Sequence, residues 1–284
     1  MAQKWLIGEF SGWRLLKSIL FVYVTVAIYL FFRADQMIFQ PQGPSYEITP
    51  EFIQIPITDQ EFITALYLPN PQAKWTIFYS HGNAEDLGDI RPFLNQLRDW
   101  GFNIFAYDYR GYGQSSGVPG EANAYTDALV AYTYLTQTLK IPPNQIILYG
   151  RSLGGGVATH LATEVEAAAL VLESTFTSAF QVASPIPIFP FDKFTNITKL
   201  GHIQIPVLII HGEADEVIPF AHGQALYEGA NAPKFHLWVS GGSHNNISLI
   251  AREQLHQALQ ALRTSLEESS STSIPKGLKG KVRP

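Results

Sequence analysis

From residue 75 to residue 239 the chain repeats one pattern. A short uninterrupted apolar run is followed by a longer stretch whose apolar residues recur at helical spacing. The runs are residues 75–79, 103–107, 146–149, 168–172, 207–210 and 235–239. Runs without polar alternation suit strands buried on both faces, as in a parallel sheet covered by helices. The segments 87–100, 122–140, 157–163, 222–228 and 246–262 have the spacing of amphipathic or largely buried helices. Upstream, residues 52–57 and 62–68 alternate around Thr58-Asp59-Gln60, which predicts an antiparallel hairpin. The whole predicts a single α/β domain: a mostly parallel central sheet, helices on both faces, and a hairpin at its start.

The two ends read differently. Residues 18–32 are fifteen positions without a charge, dominated by Ile, Leu, Val, Phe and Tyr. Fifteen helical residues span about 22 Å, and adding Leu15 and Leu16, with Lys17 snorkelling, reaches a plausible membrane span. Trp5 and Trp13 lie where interfacial aromatics are expected. A cleaved signal peptide is the first alternative, but Phe31, Phe32, Arg33 and Ala34 make a poor cleavage site. A soluble or surface-lying helix is the second. Lys4, Arg14 and Lys17 precede the segment and Arg33 follows it, a lean toward a cytosolic N-terminus with the globular domain across the membrane. Residues 40–50, rich in Pro and Gly, read as a linker. The expected division is an anchor over 1–36, a catalytic domain over 37–264 and a disordered Ser-, Lys- and Gly-rich tail over 265–284.

Composition narrows the function classes. Apolar content of 46% with 13% aromatics supports a sizeable core in 284 residues. A net charge of −5 with no basic stripe gives no nucleic-acid footprint. The chain has no cysteine, which removes disulfides, thiol nucleophiles and thiolate metal sites. No cofactor or metal is expected. Gly154-Gly155-Gly156 lacks a following Gly-Lys-Ser/Thr and does not form a dinucleotide fingerprint.

The candidate chemistry centres on Gly150-Arg151-Ser152-Leu153-Gly154, placed after the run 146–149 and before a small-residue segment. A strand passing through such a turn into a helix holds a serine hydroxyl above the sheet edge as a nucleophile. Acyl transfer by serine then needs a base within reach and an acid to orient it. Asp215 follows the run 207–210 and His244 follows 235–239, each in a loop after a strand. Asp215 as a simple helix cap near Pro219 is the bland reading, and Glu173, at the end of 168–172, is the rival acid. Asp108 also ends a run but precedes the serine. His81 and His211 read as turn residues, and His160 and His256 fall on helices. Two backbone N–H groups would bind the oxyanion, one from Leu153 and one from Asn83 in Ser80-His81-Gly82-Asn83-Ala84. Asn83 or Asp86 capping the next helix is compatible with that role. The insertion 174–200 carries Phe176, Phe180, Phe189, Phe191 and Phe194. It reads either as an apolar cap over the serine or as a loop burying its own aromatics.

These motifs, with Tyr107-Asp108-Tyr109-Arg110-Gly111-Tyr112-Gly113-Gln114-Ser115 and His211-Gly212-Glu213-Ala214-Asp215, resemble the α/β-hydrolase superfamily over residues 37 to 262. Within it the chain looks like the membrane-anchored serine hydrolases whose eukaryotic relatives include protein depalmitoylases. The resemblance implies the α/β-hydrolase fold, a Ser–Asp–His triad and esterase or thioesterase chemistry on a small-molecule or lipid-like acyl substrate. An apolar span stands where the animal depalmitoylases carry an acylated, cysteine-rich N-terminus. A serine peptidase shares fold and triad and remains the alternative, with a non-catalytic scaffold behind it.

Overall fold

The computed structural model describes residues 11–272. Every expected run forms a strand: β1 Phe52–Pro56, β2 Phe62–Leu68, β3 Thr76–Ser80, β4 Asn103–Tyr107, β5 Ile146–Arg151, β6 Ala169–Glu173, β7 Val207–Gly212 and β8 Lys234–Val239. They join one sheet in the order β1-β2-β4-β3-β5-β6-β7-β8. The hairpin β1–β2 and the pair β2–β4 are antiparallel, and every other pairing is parallel. This is the α/β-hydrolase fold. Side chains alternate between its two faces, so Phe78 packs into one core layer while Ile77 and Tyr79 enter the other. The parallel register aligns Ser80 with Gly150, Arg151 with Glu173, and Gly212 with Val239, bringing the loops that leave these strands to one edge.

The helices are α1 Gly12–Ile38, α2 Arg91–Asp99, α3 Glu121–Thr133, α4 Leu153–Glu164, α5 Ala179–Ala183, α6 Asn196–Leu200, α7 Phe220–Gly229, α8 Ile247–Ile250 and α9 Arg252–Thr272. Three depart from expectation. Residues 87–90 form turns, because Asp86 accepts from Gly88 and Asp89 N–H while Asp108 accepts from Leu87 N–H at 2.9 Å. α3 ends in a π-helical turn over Tyr134–Thr138, where a continuous helix was expected to 140. The segment 246–262 breaks at Ala251 into α8 and α9.

The expected disordered tail is corrected in its first part. α9 runs on to Thr272 because Leu266 continues the buried stripe of Leu255, Leu259 and Leu262, and Trp75 Nε1 donates to Glu267 at 3.3 Å. Residues 273–284 lie outside the described residues, as do 1–10.

α1 is long and apolar enough to cross a membrane. Its last turns dock on the domain: Ala34 is buried and Asp35 pairs with Lys193 Nζ at 3.0 Å. Over 174–200 the sequence-level alternatives divide between residues. Phe176 and Phe194 are buried in the core under the sheet edge. Phe180, Phe189 and Phe191 instead form a partly exposed aromatic cluster that meets Tyr23 and Phe31 of α1. That outer part, 179–193, stands against α1 and is called the cap segment.

Candidate active site

The turn at Ser152 is built by what its neighbours lack. Ser152 has φ 51° and ψ −117°, a conformation that costs a non-glycine residue of order 1–3 kcal/mol and persists only when its surroundings fix it. Ser152 N–H donates to the Glu173 carbonyl at 2.9 Å and Thr175 Oγ1 donates to the Ser152 carbonyl at 2.7 Å, which fixes both peptide groups. A Cβ on Gly150 would strike the Gly154 carbonyl, and one on Gly154 would strike the Ser80 carbonyl. The strand, the turn and α4 can approach this closely only through glycine.

The structure brings Ser152, His244 and Asp215 together. His244 Nε2 lies 3.0 Å from Ser152 Oγ, and His244 Nδ1 lies 2.9 Å from Asp215 Oδ2. Both His244 and Asp215 are buried. The second oxygen of Asp215 accepts from Val217 N–H at 2.9 Å and Ile218 N–H at 2.7 Å. The carboxylate thus shapes its own loop with one oxygen and holds the imidazole with the other. Burial pushes the Asp215 carboxyl up, but the hydrogen bonds from His244, Ile218 and Val217 outweigh it and hold the group below the usual carboxylate range. It is therefore ionised at neutral pH, and His244 Nδ1 is fixed as the donor. Nε2 is left as the acceptor facing the serine hydroxyl.

Glu173, the rival acid, is engaged elsewhere. It accepts from Tyr149 Oη and lies 3.9 Å from Arg151 Nε. Burial raises its carboxyl, with Arg151 and Tyr149 opposing. Asp108 is bound to Tyr46 Oη at 2.5 Å and sits 3.5 Å from His81 Nε2. His81 and His211 serve their own loops, through Gly82 O at 2.7 Å and Ile218 O at 2.8 Å. Burial lowers both imidazoles, so each is neutral.

The Leu153 and Asn83 N–H groups have no hydrogen-bond acceptor among the described residues. The Asn83 side chain is not a helix cap. Its Oδ1 accepts from Tyr112 Oη at 2.6 Å and Gln40 N–H at 3.0 Å, and its Nδ2 donates to the Ile38 carbonyl at 2.6 Å. The end of α1 thus grips this loop.

Sequence reasoning missed one central residue. Arg151 donates to Glu85, to Asn245 Oδ1 at 2.7 Å and to the His244 carbonyl at 3.1 Å. Glu85 in turn accepts from Gly82 N–H at 2.9 Å. One guanidinium ties the serine turn, the Asn83 loop and the His244 loop together. The signal was a charge at the end of an otherwise apolar strand, which must find acidic partners on burial.

An apolar cavity of about 600 Å³ lies between α1 and the cap, and none of Ser152, Asp215 or His244 lines it. Among the described residues no group of acidic or histidine side chains is arranged to hold a metal ion.

Residues 71–197 match a family described as serine aminopeptidase, S33. Over 193 residues the chain is 45% identical to alpha/beta hydrolase domain-containing protein 17B of Homo sapiens, covering 66% of this chain and 67% of that protein. The Xenopus tropicalis protein of the same name matches with the same identity and shares. Among solved structures, the Pyrococcus furiosus esterase Pf2001 superimposes with a TM-score of 0.67 at 20% identity, covering 80% of this chain and 98% of that one, a likeness of fold. The chain belongs to the α/β-hydrolase superfamily, alongside the alpha/beta hydrolase domain-containing proteins 17.

Proposed function

We propose that the protein is a membrane-anchored serine hydrolase that cleaves acyl esters or thioesters through a covalent acyl-enzyme. The observation that carries this reading is the unbroken chain from Ser152 Oγ to His244 Nε2 at 3.0 Å and from His244 Nδ1 to Asp215 at 2.9 Å. His244 Nε2 takes the Ser152 proton as Oγ attacks the acyl carbonyl carbon. The carbonyl π pair moves onto oxygen, where the Leu153 and Asn83 N–H groups receive it. Collapse of the tetrahedral adduct breaks the bond to the leaving alcohol or thiol, which takes the proton from His244. Water then repeats the sequence, giving its proton to His244 and releasing the acid. Asp215 keeps the imidazole in the required tautomer and stabilises the imidazolium in both steps.

The organisation that goes with this reading is an anchor over 1–36 followed by the catalytic domain with its cap. The basic residues before the apolar stretch favour a cytosolic N-terminus with the domain on the other side. The apolar cap favours an acyl chain over a peptide, while the aminopeptidase description of the matching family keeps the amide bond in the test.

A fluorophosphonate probe should label the protein at Ser152. Ser152→Ala should abolish labelling and lower turnover on the order of 10⁶-fold, as triad deletions do elsewhere. A panel of acyl esters, thioesters and aminoacyl amides then reads the bond class. Activity of Ser152→Ala within tenfold of wild type sinks the reading, and turnover confined to aminoacyl amides makes the protein a peptidase.

A further inference from the structure

The cavity between α1 and the cap has Leu30, Ala34 and Ile38 on one wall and Phe180, Ile188 and Phe191 on the other. Its volume, about 600 Å³, falls within the roughly 300–1,000 Å³ of sites that bury a ligand. One lining residue links it to the reaction centre: the Ile38 carbonyl accepts from the side chain of Asn83.

Two further observations point to the source of a ligand. Tyr23, midway along the apolar part of α1, donates to the Ile188 carbonyl at 3.0 Å and stacks on Phe189 at 5.8 Å. The fifteen steps from Tyr23 to Ile38 rise about 22 Å, so the cap climbs that far beside the helix. Where α1 enters a bilayer, residues 186–191 enter with it. Ile186 and Ile188 are 70% and 54% exposed, which suits lipid better than water. Val118, Val217, Leu249 and Ile250 are also exposed and lie in the segments that follow β4, β7 and β8, at the sheet edge that carries Ser152.

We infer that this cavity is the acyl-chain subsite, filled sideways from the leaflet in which the cap is immersed, so that the anchor helix is itself a wall of the substrate site. The inference rests on the hydrolase reading above. The substrate is the acyl ester or thioester of that reading, resident in the membrane. Its carbonyl sits at Leu153 and Asn83, and its chain passes Ile38 into the space between Ala34 and Phe191. The chain leaves the bilayer without crossing water.

The test uses the full chain in phosphatidylcholine–phosphatidylglycerol nanodiscs with a series of acyl thioesters of increasing length. For the wild type, kcat/KM should rise about tenfold for every two methylenes until the cavity is full. Leu30→Trp and Ala34→Phe fill the cavity from the helix side and should move the optimum to shorter chains, lowering the long-to-short ratio at least tenfold. Fluorophosphonate labelling of Ser152 in each variant reports that the fold survives. A diazirine-bearing palmitoyl lipid in the same nanodiscs should crosslink to residues 30–38 and 180–191, a readout independent of turnover. An unchanged length profile in both labelled variants, or no crosslink there, overturns the inference. Crosslinks at these residues that Leu30→Trp removes, with Ser152 unreactive, support the subsite and overturn the hydrolase reading instead.

Discussion

Arg151→Met deletes a guanidinium while keeping a long unbranched side chain. Three segments lose the group that joins them: Glu85 after β3, Glu173 at the end of β6, and His244 with Asn245 after β8. The Arg151 side chain is 12% exposed and that of Glu173 only 4%, so the Glu173 carboxylate is left without a counter-charge in a low-dielectric site. Deleting one partner of a buried pair costs about 3–5 kcal/mol. Glu85 is 24% exposed and can rehydrate, which places the expectation near the lower limit, about 3 kcal/mol. For a domain of this size that is a fall in Tm of roughly 6–12 °C. The loss has a pH signature. Burial already raises the Glu173 carboxyl, and removing Arg151 lets it rise further. A carboxyl raised in the folded state stabilises fully below its unfolded pKa, and that contribution is lost as pH rises through the folded value. The deficit of the variant is therefore small at pH 4 and grows toward pH 8. Catalysis reads the same clamp, because the His244 carbonyl loses its donor, and an ångström of drift at Nε2 costs on the order of 10²-fold. Thermal unfolding at the two pH values and the fluorophosphonate labelling rate at pH 8 check both effects. Arg151→Lys keeps the charge without the fork and should fall between. A Tm within about 2 °C of wild type at pH 8, with labelling within about twofold, refutes the clamp.

Two other substitutions probe the site's frame. Gly154→Ala drives a Cβ into the Ser80 carbonyl, a backbone atom that cannot yield. It should destabilise by more than about 3 kcal/mol in chemical denaturation, and a loss below about 1 kcal/mol would show that α4 can shift away. Asp108→Asn should flatten the pH dependence of stability. Burial raises the Asp108 carboxyl well above its usual range, so its contribution is present below about pH 4 and lost as pH rises through the raised value. Urea unfolding from pH 4 to pH 9 should therefore show the variant gaining on the wild type with rising pH, and parallel curves would contradict a buried neutral acid.

The strands and the Ser152–Asp215–His244 arrangement were legible because both depend on local signals taken in order. Buried parallel strands leave apolar runs, and the loops after them carry Asp215 and His244 wherever the sheet places them. What escaped depends on residues far apart in the chain. The grip on Asn83 comes from Gln40, Ile38 and Tyr112, forty-three, forty-five and twenty-nine positions away, and Arg151 reaches the His244 carbonyl ninety-three positions on. Periodicity carries no information about such meetings. The helical part of the tail is hidden for a different reason: Leu266 is a lone apolar residue in a polar segment, and only its alignment with Leu262 on α9 gives it a place to pack. The insertion 174–200 held two functions in one stretch, with Phe176 and Phe194 for the core and Phe180, Phe189 and Phe191 for the surface beside α1.

The bond from Asn83 to the Ile38 carbonyl gives the rotational phase of α1 a meaning that hydrophobicity alone would not. Ala34 and Ile38 lie one turn apart on the docked side of the helix, and Ile38 ends it against the loop that presents the Asn83 N–H. One residue inserted above Ala34 leaves the span as apolar as before but turns everything upstream by about 100° relative to the domain. Tyr23 would then face away from Phe189. A helix docked in this way is keyed rather than merely greasy, and exchanging it for another apolar helix preserves the site only if the replacement arrives in the same phase.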